Sequence, residues 1–104
     1  MLTKNAAIEI VDNYAREIQA QGVHLRTVIL YGSHAKGTQN QWSDIDVALV
    51  ADEFEGLPTD IHHFMTIAIK KPYTRIEPNT FPTDYFYEGD PFIEEIIKTG
   101  IKII

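Results

Sequence analysis

Apolar residues recur at helical spacing over the first twenty residues of the chain. This spacing predicts a helix from about Thr3 to Gln21, with Thr3 as its N-terminal cap and Gly22 just past its end. The face expected to be buried carries Ala7, Val11, Tyr14, Ala15 and Ile18. A run of apolar and β-branched residues from 24 to 31 then predicts a buried strand that stops at Gly32.

A polar loop with a short helical turn over 34–36 leads to a second predicted strand at 44–50. In that strand apolar residues alternate with polar ones, so Asp44 and Asp46 share one face. The loop between the two strands suits either strand direction, and the sequence leaves their pairing open.

Residues 59–72 predict a second helix. Its inner face is expected to carry Ile61, Phe64, Met65 and Ala68. Residues 73–80 predict a third strand, which Pro78 makes short or confines to a sheet edge. The aromatic segment that follows is irregular, with a short strand expected at 85–87.

The last predicted helix has a clear start, because Asp90 is a good cap and Pro91 suits the first helical position. It ends at Gly100, and its buried face carries Ile93, Ile96 and Ile97. The apolar tail 101–104 is expected to pack as an edge strand or to belong to an interface. Helices alternating with a few strands predict an α/β or α+β fold, in a single domain over 1–104.

Composition narrows the classes of function. Nine lysines and arginines against fifteen aspartates and glutamates give a net charge of −6, so we expect no direct binding of nucleic acid. The absence of cysteine excludes disulfides, thiolate zinc sites and a cysteine nucleophile. No apolar run reaches the roughly 18 residues of a membrane span, and the N-terminus lacks a signal-peptide core, so we expect a cytoplasmic protein without a membrane segment.

The two aspartates of the second strand are the first candidate for chemistry. Their Cα atoms should lie about 6.5–7 Å apart with the side chains pointing the same way. Carboxylates held this close repel each other unless a cation lies between them, and hard oxygen ligands suit Mg²⁺ or Mn²⁺. Asp44 and Asp46 are therefore candidate metal ligands, the alternative being a solvent-facing polar side of the strand.

Two further features could complete such a site. Gly32 lets the backbone turn sharply, and the amides after it, with the Ser33 hydroxyl, can hold phosphate oxygens; the alternative is a plain tight turn. Glu77, in the third predicted strand, could join the aspartates as a ligand or as a general base. The alternative for Glu77 is an ion pair with Arg75 or a surface lysine.

The segments 30–38 and 43–50 together resemble the signature of the nucleotidyltransferase superfamily that includes DNA polymerase β. They read LYGSHAKGT and SDIDVALV, which fit the pattern G-S-x-A-[KR]-G, a short spacer, and S-D-[IL]-D followed by a hydrophobic residue. The short chain is similar to the minimal nucleotidyltransferases of prokaryotes. The resemblance covers roughly residues 1–100 and implies a small mixed sheet flanked by helices, as in the palm of polymerase β.

The resemblance also implies roles for residues of the motif. Gly32 and Ser33 would grip the β- and γ-phosphates of a nucleoside triphosphate, and Asp44 and Asp46 would bind the metal. Further candidates for phosphate contact are Lys36, for which a solvated loop lysine is the alternative, and Ser43. His34 is expected to border the phosphate loop without acting in catalysis.

The third carboxylate of the family comes from a later strand. Glu77 is our match, because the stretch 75–78 is similar to the corresponding stretch of kanamycin nucleotidyltransferase-like members. Asp84 and Glu88 are its rivals. Glu77 would be both a metal ligand and the base that takes the proton of an acceptor hydroxyl, with Mg²⁺ or Mn²⁺ as cofactor.

Minimal members of the family are often encoded beside a HEPN protein, and some are antitoxins that transfer AMP to a tyrosine of that HEPN toxin. The resemblance therefore implies transfer of AMP from ATP to a HEPN-type partner, with a homodimer as another way to complete the cleft. Two alternatives stay open: transfer to a small molecule such as an aminoglycoside, and a catalytically silent module that caps a HEPN partner.

Overall fold

The first helix, α1, spans Lys4–Ala20 in the computed structural model, which describes residues 2–104. The Thr3 hydroxyl accepts a hydrogen bond from the amide of Ala6 at 3.1 Å and caps the helix. Gln21 ends it, and Gly22 follows with a φ of 99°. The structure buries the same face of α1 that the spacing of apolar residues predicted, which confirms that prediction.

Four strands form one sheet. They are β1 (Leu25–Tyr31), β2 (Ile45–Ala51), β3 (Ile76–Pro82) and β4 (Ile101–Lys102). The order across the sheet is β3-β2-β1-β4, with β1 antiparallel to β2 and β4, and β2 parallel to β3. This mixed sheet confirms the predicted fold class. The strand with Pro78 lies at one edge as predicted, and the apolar tail supplies the other edge.

Short helices connect the strands. They are α2 (Ser33–Lys36), a 3₁₀ helix (Pro58–Phe64) continued by α3 (Met65–Ala68), a 3₁₀ turn (Tyr73–Arg75), α4 (Thr83–Phe86) and α5 (Pro91–Thr99). The Asp90 carboxylate caps α5 by accepting hydrogen bonds from the amides of Phe92 at 2.8 Å and Ile93 at 3.4 Å. Across residues 2–104, no helix has the length and apolar character to cross a bilayer.

The sheet has a core on each face. One face buries Val28, Leu30, Val47 and Leu49 in the cluster that contains the apolar face of α1. The other face buries Ile29, Ala48 and Val50 with Phe86, Ile93 and Ile96 of α4 and α5. Because side chains alternate along a strand, Asp46 lies on the same face as Ala48 and Val50. The carboxylates predicted for the site thus project from the α5 face, at the end of the sheet where β2 begins.

The helix predicted over 59–72 is not one regular helix. The buried carboxylate of Asp60 accepts hydrogen bonds from the amides of Glu55, Gly56 and Leu57 at 2.8–3.1 Å, which ties the chain into a tight 3₁₀ start. The inner face also shifts, since Ile67 is buried and Met65 is exposed. The structure differs from the predicted regular helix because the Asp60 side chain binds the loop that precedes it.

Two smaller predictions are also wrong. The strand expected at 85–87 is the helix α4, in which Phe86 alone turns into the core. Ile97 was expected on the buried face of α5 but is 48% exposed, whereas Ile93 and Ile96 are buried. The apolar arc of α5 is therefore wider than the part that contacts the sheet.

Candidate active site

The turn after β1 is built on a conformation that only glycine adopts readily. Gly32 has φ 73° and ψ −152° and is followed at once by α2. Its carbonyl accepts the amides of Ala35 and Lys36, both at 3.1 Å, and so closes the helical turn. An added Cβ at position 32 would lie 3.2 Å from the Cγ of Asp46. The turn and the Asp46 carboxylate are therefore in direct contact.

Asp46 lies in the middle of three neighbouring strands. It is paired with Tyr31 on β1 and with Glu77 on β3. Paired residues of adjacent strands project from the same face, and their strands are about 4.8 Å apart. The sheet register thus brings the Asp46 and Glu77 side chains together beside the Gly32 turn.

Asp44 precedes β2 by one residue and is exposed, and its charge reaches both other carboxylates. Burial and then the charge of Asp44 raise the pKa of Asp46, an effect that His34 partly offsets. The charge of Asp46 raises the pKa of Glu77, as do burial, the charge of Asp44 and a hydrogen bond with Asp44. The negative charges of the three carboxylates therefore repel one another.

No ion pair relieves this repulsion within residues 2–104. Arg75, the alternative partner of Glu77, instead donates from Nη2 to the carbonyl of Ser43 at 3.2 Å. Over the same part of the chain, no three acidic or histidine side chains already form a metal cage. Mg²⁺ does not need such a cage, because it prefers one or two carboxylates completed by water and substrate phosphates. The donor set fits a hard divalent cation of this kind.

The other predicted phosphate ligands lie around the same turn. Ser33 begins α2 and is partly exposed, whereas Lys36 ends that helix and is exposed. The hydroxyl of Ser43 accepts a hydrogen bond from the amide of Asn40 at 3.0 Å, which leaves its own proton available for donation.

The two rivals of Glu77 lie elsewhere. Asp84 follows the end of β3, where Pro82 pairs with Ala51, about 16 Å along the strand from the Asp46 pair. Glu88 lies near Tyr85 at that same distant end, and its charge contributes to the raised pKa of the Tyr85 hydroxyl. Of the three candidates, the structure brings only Glu77 next to Asp46.

Sequence reasoning missed a polar link on the carboxylate face. The Asn79 amide donates a hydrogen bond to the Tyr31 hydroxyl, which links β3 to β1 over the central strand β2. Burial, followed by the charge of Asp46, raises the pKa of Tyr31 to about 12, so the phenol stays neutral. No signal in the sequence pointed to this link, because it depends on the pairing of β1 and β3 with β2.

Two rings near the glycine turn differ in burial, since His34 is buried and Trp42 is exposed. His34 lies beside the phosphate loop and is fully buried, and its Nε2 lies 3.3 Å from the carbonyl oxygen of Ser43. Trp42 is 82% exposed in the loop before Asp44. The ring that the structure buries is therefore the histidine, directly behind the glycine turn.

Comparisons with known proteins agree with this geometry. A family model described as polymerase beta, nucleotidyltransferase, matches residues 13–104. No curated protein is significantly similar to the chain in sequence.

Two solved structures share the fold. A candidate nucleotidyltransferase from Sulfolobus solfataricus has a TM-score of 0.63 at 15% identity, and the alignment covers 95% of this chain and 80% of that one. A toxin–antitoxin structure with AMP-PNP has a TM-score of 0.61 at 17% identity, with 89% of this chain and 72% of that one covered. At these identities the likeness concerns the fold.

Proposed function

The chain belongs to the polymerase beta nucleotidyltransferase family, and from that premise we propose that it transfers AMP from ATP to a tyrosine hydroxyl of a HEPN-type toxin partner. Nucleotidyl transfer is the activity of the family. The metal, the donor, the acceptor and the residues assigned to each are our proposal.

The observation that carries the proposal is the cluster of Asp44, Asp46 and Glu77 beside the Gly32 turn. Three carboxylates without cationic partners destabilise a fold, because their charges repel at close range. A protein that only caps a partner has no physical use for this arrangement. An enzyme that binds a cation and a polyphosphate does.

The ligands for the metal would be Asp44 and Asp46, with Glu77 beside them. A bound Mg²⁺ or Mn²⁺ supplies charge neutralisation of the triphosphate and of the developing negative charge. In its presence the mutual repulsion of the carboxylates becomes attraction to a shared ion, so binding should stabilise the fold.

Binding of the phosphates falls to the turn. The amides that follow Gly32 at the start of α2 would donate to phosphate oxygens, and Ser33 would add a hydroxyl donor. Lys36 and Ser43 flank this turn and would contact further phosphate oxygens. The role of these groups is to hold the β- and γ-phosphates so that the α-phosphorus faces the acceptor.

Glu77 would act as the base. Its carboxylate takes the proton of the acceptor hydroxyl as the oxygen forms a bond to the α-phosphorus, and the bond from that phosphorus to the bridging oxygen breaks. Pyrophosphate leaves with the electron pair.

The identity of donor and acceptor rests on one structural neighbour. That structure is a toxin–antitoxin with AMP-PNP, an analogue of ATP. The charge of −6 suits a partner with a basic surface.

The test is transfer of label from α-labelled ATP in the presence of Mg²⁺. We expect that a neighbouring gene encodes a HEPN-type protein, that label appears on a tyrosine of that protein, and that Asp46→Asn transfers none. Label on an aminoglycoside instead would move the acceptor to small molecules. Tight partner binding with no pyrophosphate release from any acceptor would show a silent capping module and overturn the proposal.

A further inference from the structure

The carbonyl oxygen of Ser43 is the acceptor for two basic side chains from different parts of the fold. His34 Nε2 approaches it to 3.3 Å from α2, and Arg75 Nη2 donates to it at 3.2 Å from the turn before β3. Ser43 is the residue immediately before Asp44. One peptide group therefore joins the glycine turn, the start of β2 and the start of β3.

The other polar groups of Ser43 are also bound. Its amide donates to the carbonyl of Asn40 at 3.1 Å, and its hydroxyl accepts from the amide of Asn40 at 3.0 Å. Asn40 in turn accepts the amide of Trp42 at 2.8 Å through its side chain. The turn 40–43 is thus closed on itself, and its carbonyl side is held by His34 and Arg75.

The contact between His34 and Ser43 requires a buried imidazole, which is unfavourable for the stability of the fold. The ring is completely buried, and within residues 2–104 its Nδ1 has no hydrogen-bond partner. Burying an imidazole with one nitrogen unsatisfied is unfavourable by about 1–3 kcal/mol, so an apolar side chain would suit the core better. Among the described residues, the ring has its polar contact with Ser43 alone, and donation to a carbonyl requires the proton on Nε2.

We infer that His34 and Arg75 are positioning residues, which hold the peptide before Asp44 so that its carboxylate meets Asp46 and Glu77 at the Gly32 turn. We name this arrangement, formed by His34, Ser43 and Arg75, the Ser43 clamp. The inference rests on the proposed function, because it assigns the clamp a role in metal and nucleotide binding. Asp44 lies outside β2 and lacks a strand to fix it, which is why it needs such a clamp.

The test compares paired variants of the full chain. His34→Phe keeps a buried ring and removes the donor, whereas His34→Gln returns an amide donor near the position of Nε2. Arg75→Met and Arg75→Lys form the equivalent pair at a partly exposed site, where loss of the side chain threatens folding less. Each variant is checked for cooperative thermal unfolding.

Two measurements are made on each variant. Amide hydrogen exchange over residues 43–45 reports the clamp itself, without ligand. Mn²⁺ affinity in the presence of AMP-PNP, followed by electron paramagnetic resonance, reports its effect on the site. We expect Phe and Met to speed exchange at 43–45 and to weaken Mn²⁺ binding by about tenfold or more, as removal of ligand-orienting groups does. Gln and Lys should restore most of both.

The outcomes separate the inference from the proposed function. If wild type binds Mn²⁺ with AMP-PNP but His34→Phe and Arg75→Met bind it equally well, the positioning role is wrong and the proposed function stands. If exchange at 43–45 is unchanged in folded variants, the clamp does not exist. If wild type itself binds no Mn²⁺, the proposed function fails and the role of the clamp fails with it.

Discussion

Replacement of Gly32 by alanine separates backbone strain from the position of Asp46. The residue has φ 73° and ψ −152°, a region open almost only to glycine. The new Cβ would lie 3.2 Å from the Asp46 Cγ and well within van der Waals contact of the carboxylate oxygen Oδ2. Either the turn or the carboxylate must move.

The two effects differ in size. Holding a non-glycine residue in this region costs about 1–3 kcal/mol, which a domain with a typical stability of about 5–15 kcal/mol survives. Displacing a catalytic group by about 1 Å costs on the order of 100-fold in rate. We therefore expect a folded Gly32→Ala protein with at least about 100-fold less transfer.

Gly37→Ala is the matched control. Gly37 also has a positive φ, 77°, but an added Cβ there meets nothing within 4 Å. It should cost about 1–2 kcal/mol of unfolding free energy and leave transfer nearly unchanged. Urea unfolding and the initial rate of pyrophosphate release measure the two effects.

The reasoning is refuted if both variants lose equal stability and equal activity, because the loss would then follow from backbone strain alone. It is also refuted if Gly32→Ala keeps full activity. In that case contact between the turn and Asp46 has no part in catalysis.

Three further predictions concern single carboxylates. Asp46→Asn should abolish transfer without loss of stability. Because burial and the charge of Asp44 raise the pKa of Asp46, the folded state holds this proton more tightly than the unfolded state, and ionisation of Asp46 lowers stability as pH rises from 3.8 through the folded pKa. Thermal unfolding at pH 7 should therefore show that the Asn variant is as stable as the wild type or more stable. Glu77→Gln should lower the rate of transfer by about 100-fold or more, whereas Asp84→Asn, at the other end of β3, should stay within about twofold; equal losses would contradict the assignment of Glu77. Asp60→Ala should lower the free energy of unfolding by about 2–4 kcal/mol, since three amides and the Thr80 hydroxyl lose their acceptor. Burial raises the pKa of Asp60, but these hydrogen bonds together have the larger effect, so the pKa of Asp60 in the folded protein lies below its ordinary value. The stabilisation by the Asp60 carboxylate is therefore complete above pH 3.8 and is lost as pH falls through the folded pKa. Urea unfolding at pH 7 and in acid checks the loss of stability and its pH dependence, and an unchanged midpoint for the alanine variant would contradict this role of Asp60.

Residues close together in the sequence were enough to predict the helix starts and the edge strand. The cap at Thr3 and the spacing of apolar residues define α1, and Asp90 with Pro91 defines the start of α5. Pro78 indicated an edge strand because it cannot donate to a neighbour, and β3 is an edge. Such features depend on residues a few positions apart, which a sequence displays directly.

The wrong predictions depend on contacts between distant residues. The 3₁₀ helix at 58–64 follows from Asp60, whose carboxylate also accepts the Thr80 hydroxyl at 2.6 Å from β3. The aromatic run at 85–87 favoured a strand by propensity, yet burial of Phe86 against the sheet determined a helix. The direction of β2 relative to β1 was left open by the sequence, because it too depends on contacts between distant residues.

The candidate site also combines residues that local sequence patterns reveal with residues whose position depends on distant contacts. Asp44 and Asp46 stand out in the sequence because two acids alternate with apolar residues. That Glu77 rather than Asp84 lies beside them depends on the register of β2 with β3. The burial of His34 depends on Ser43, nine residues away, and no periodic pattern shows it.

The central claim is that Asp44 and Asp46 bind a divalent cation beside the Gly32 turn. Anomalous diffraction from a crystal grown with Mn²⁺ and AMP-PNP tests it most directly. We expect a manganese peak within ligand distance of the Asp44 and Asp46 carboxylates, with the triphosphate against Gly32 and Ser33. Nucleotide bound with manganese at any other carboxylates would contradict it.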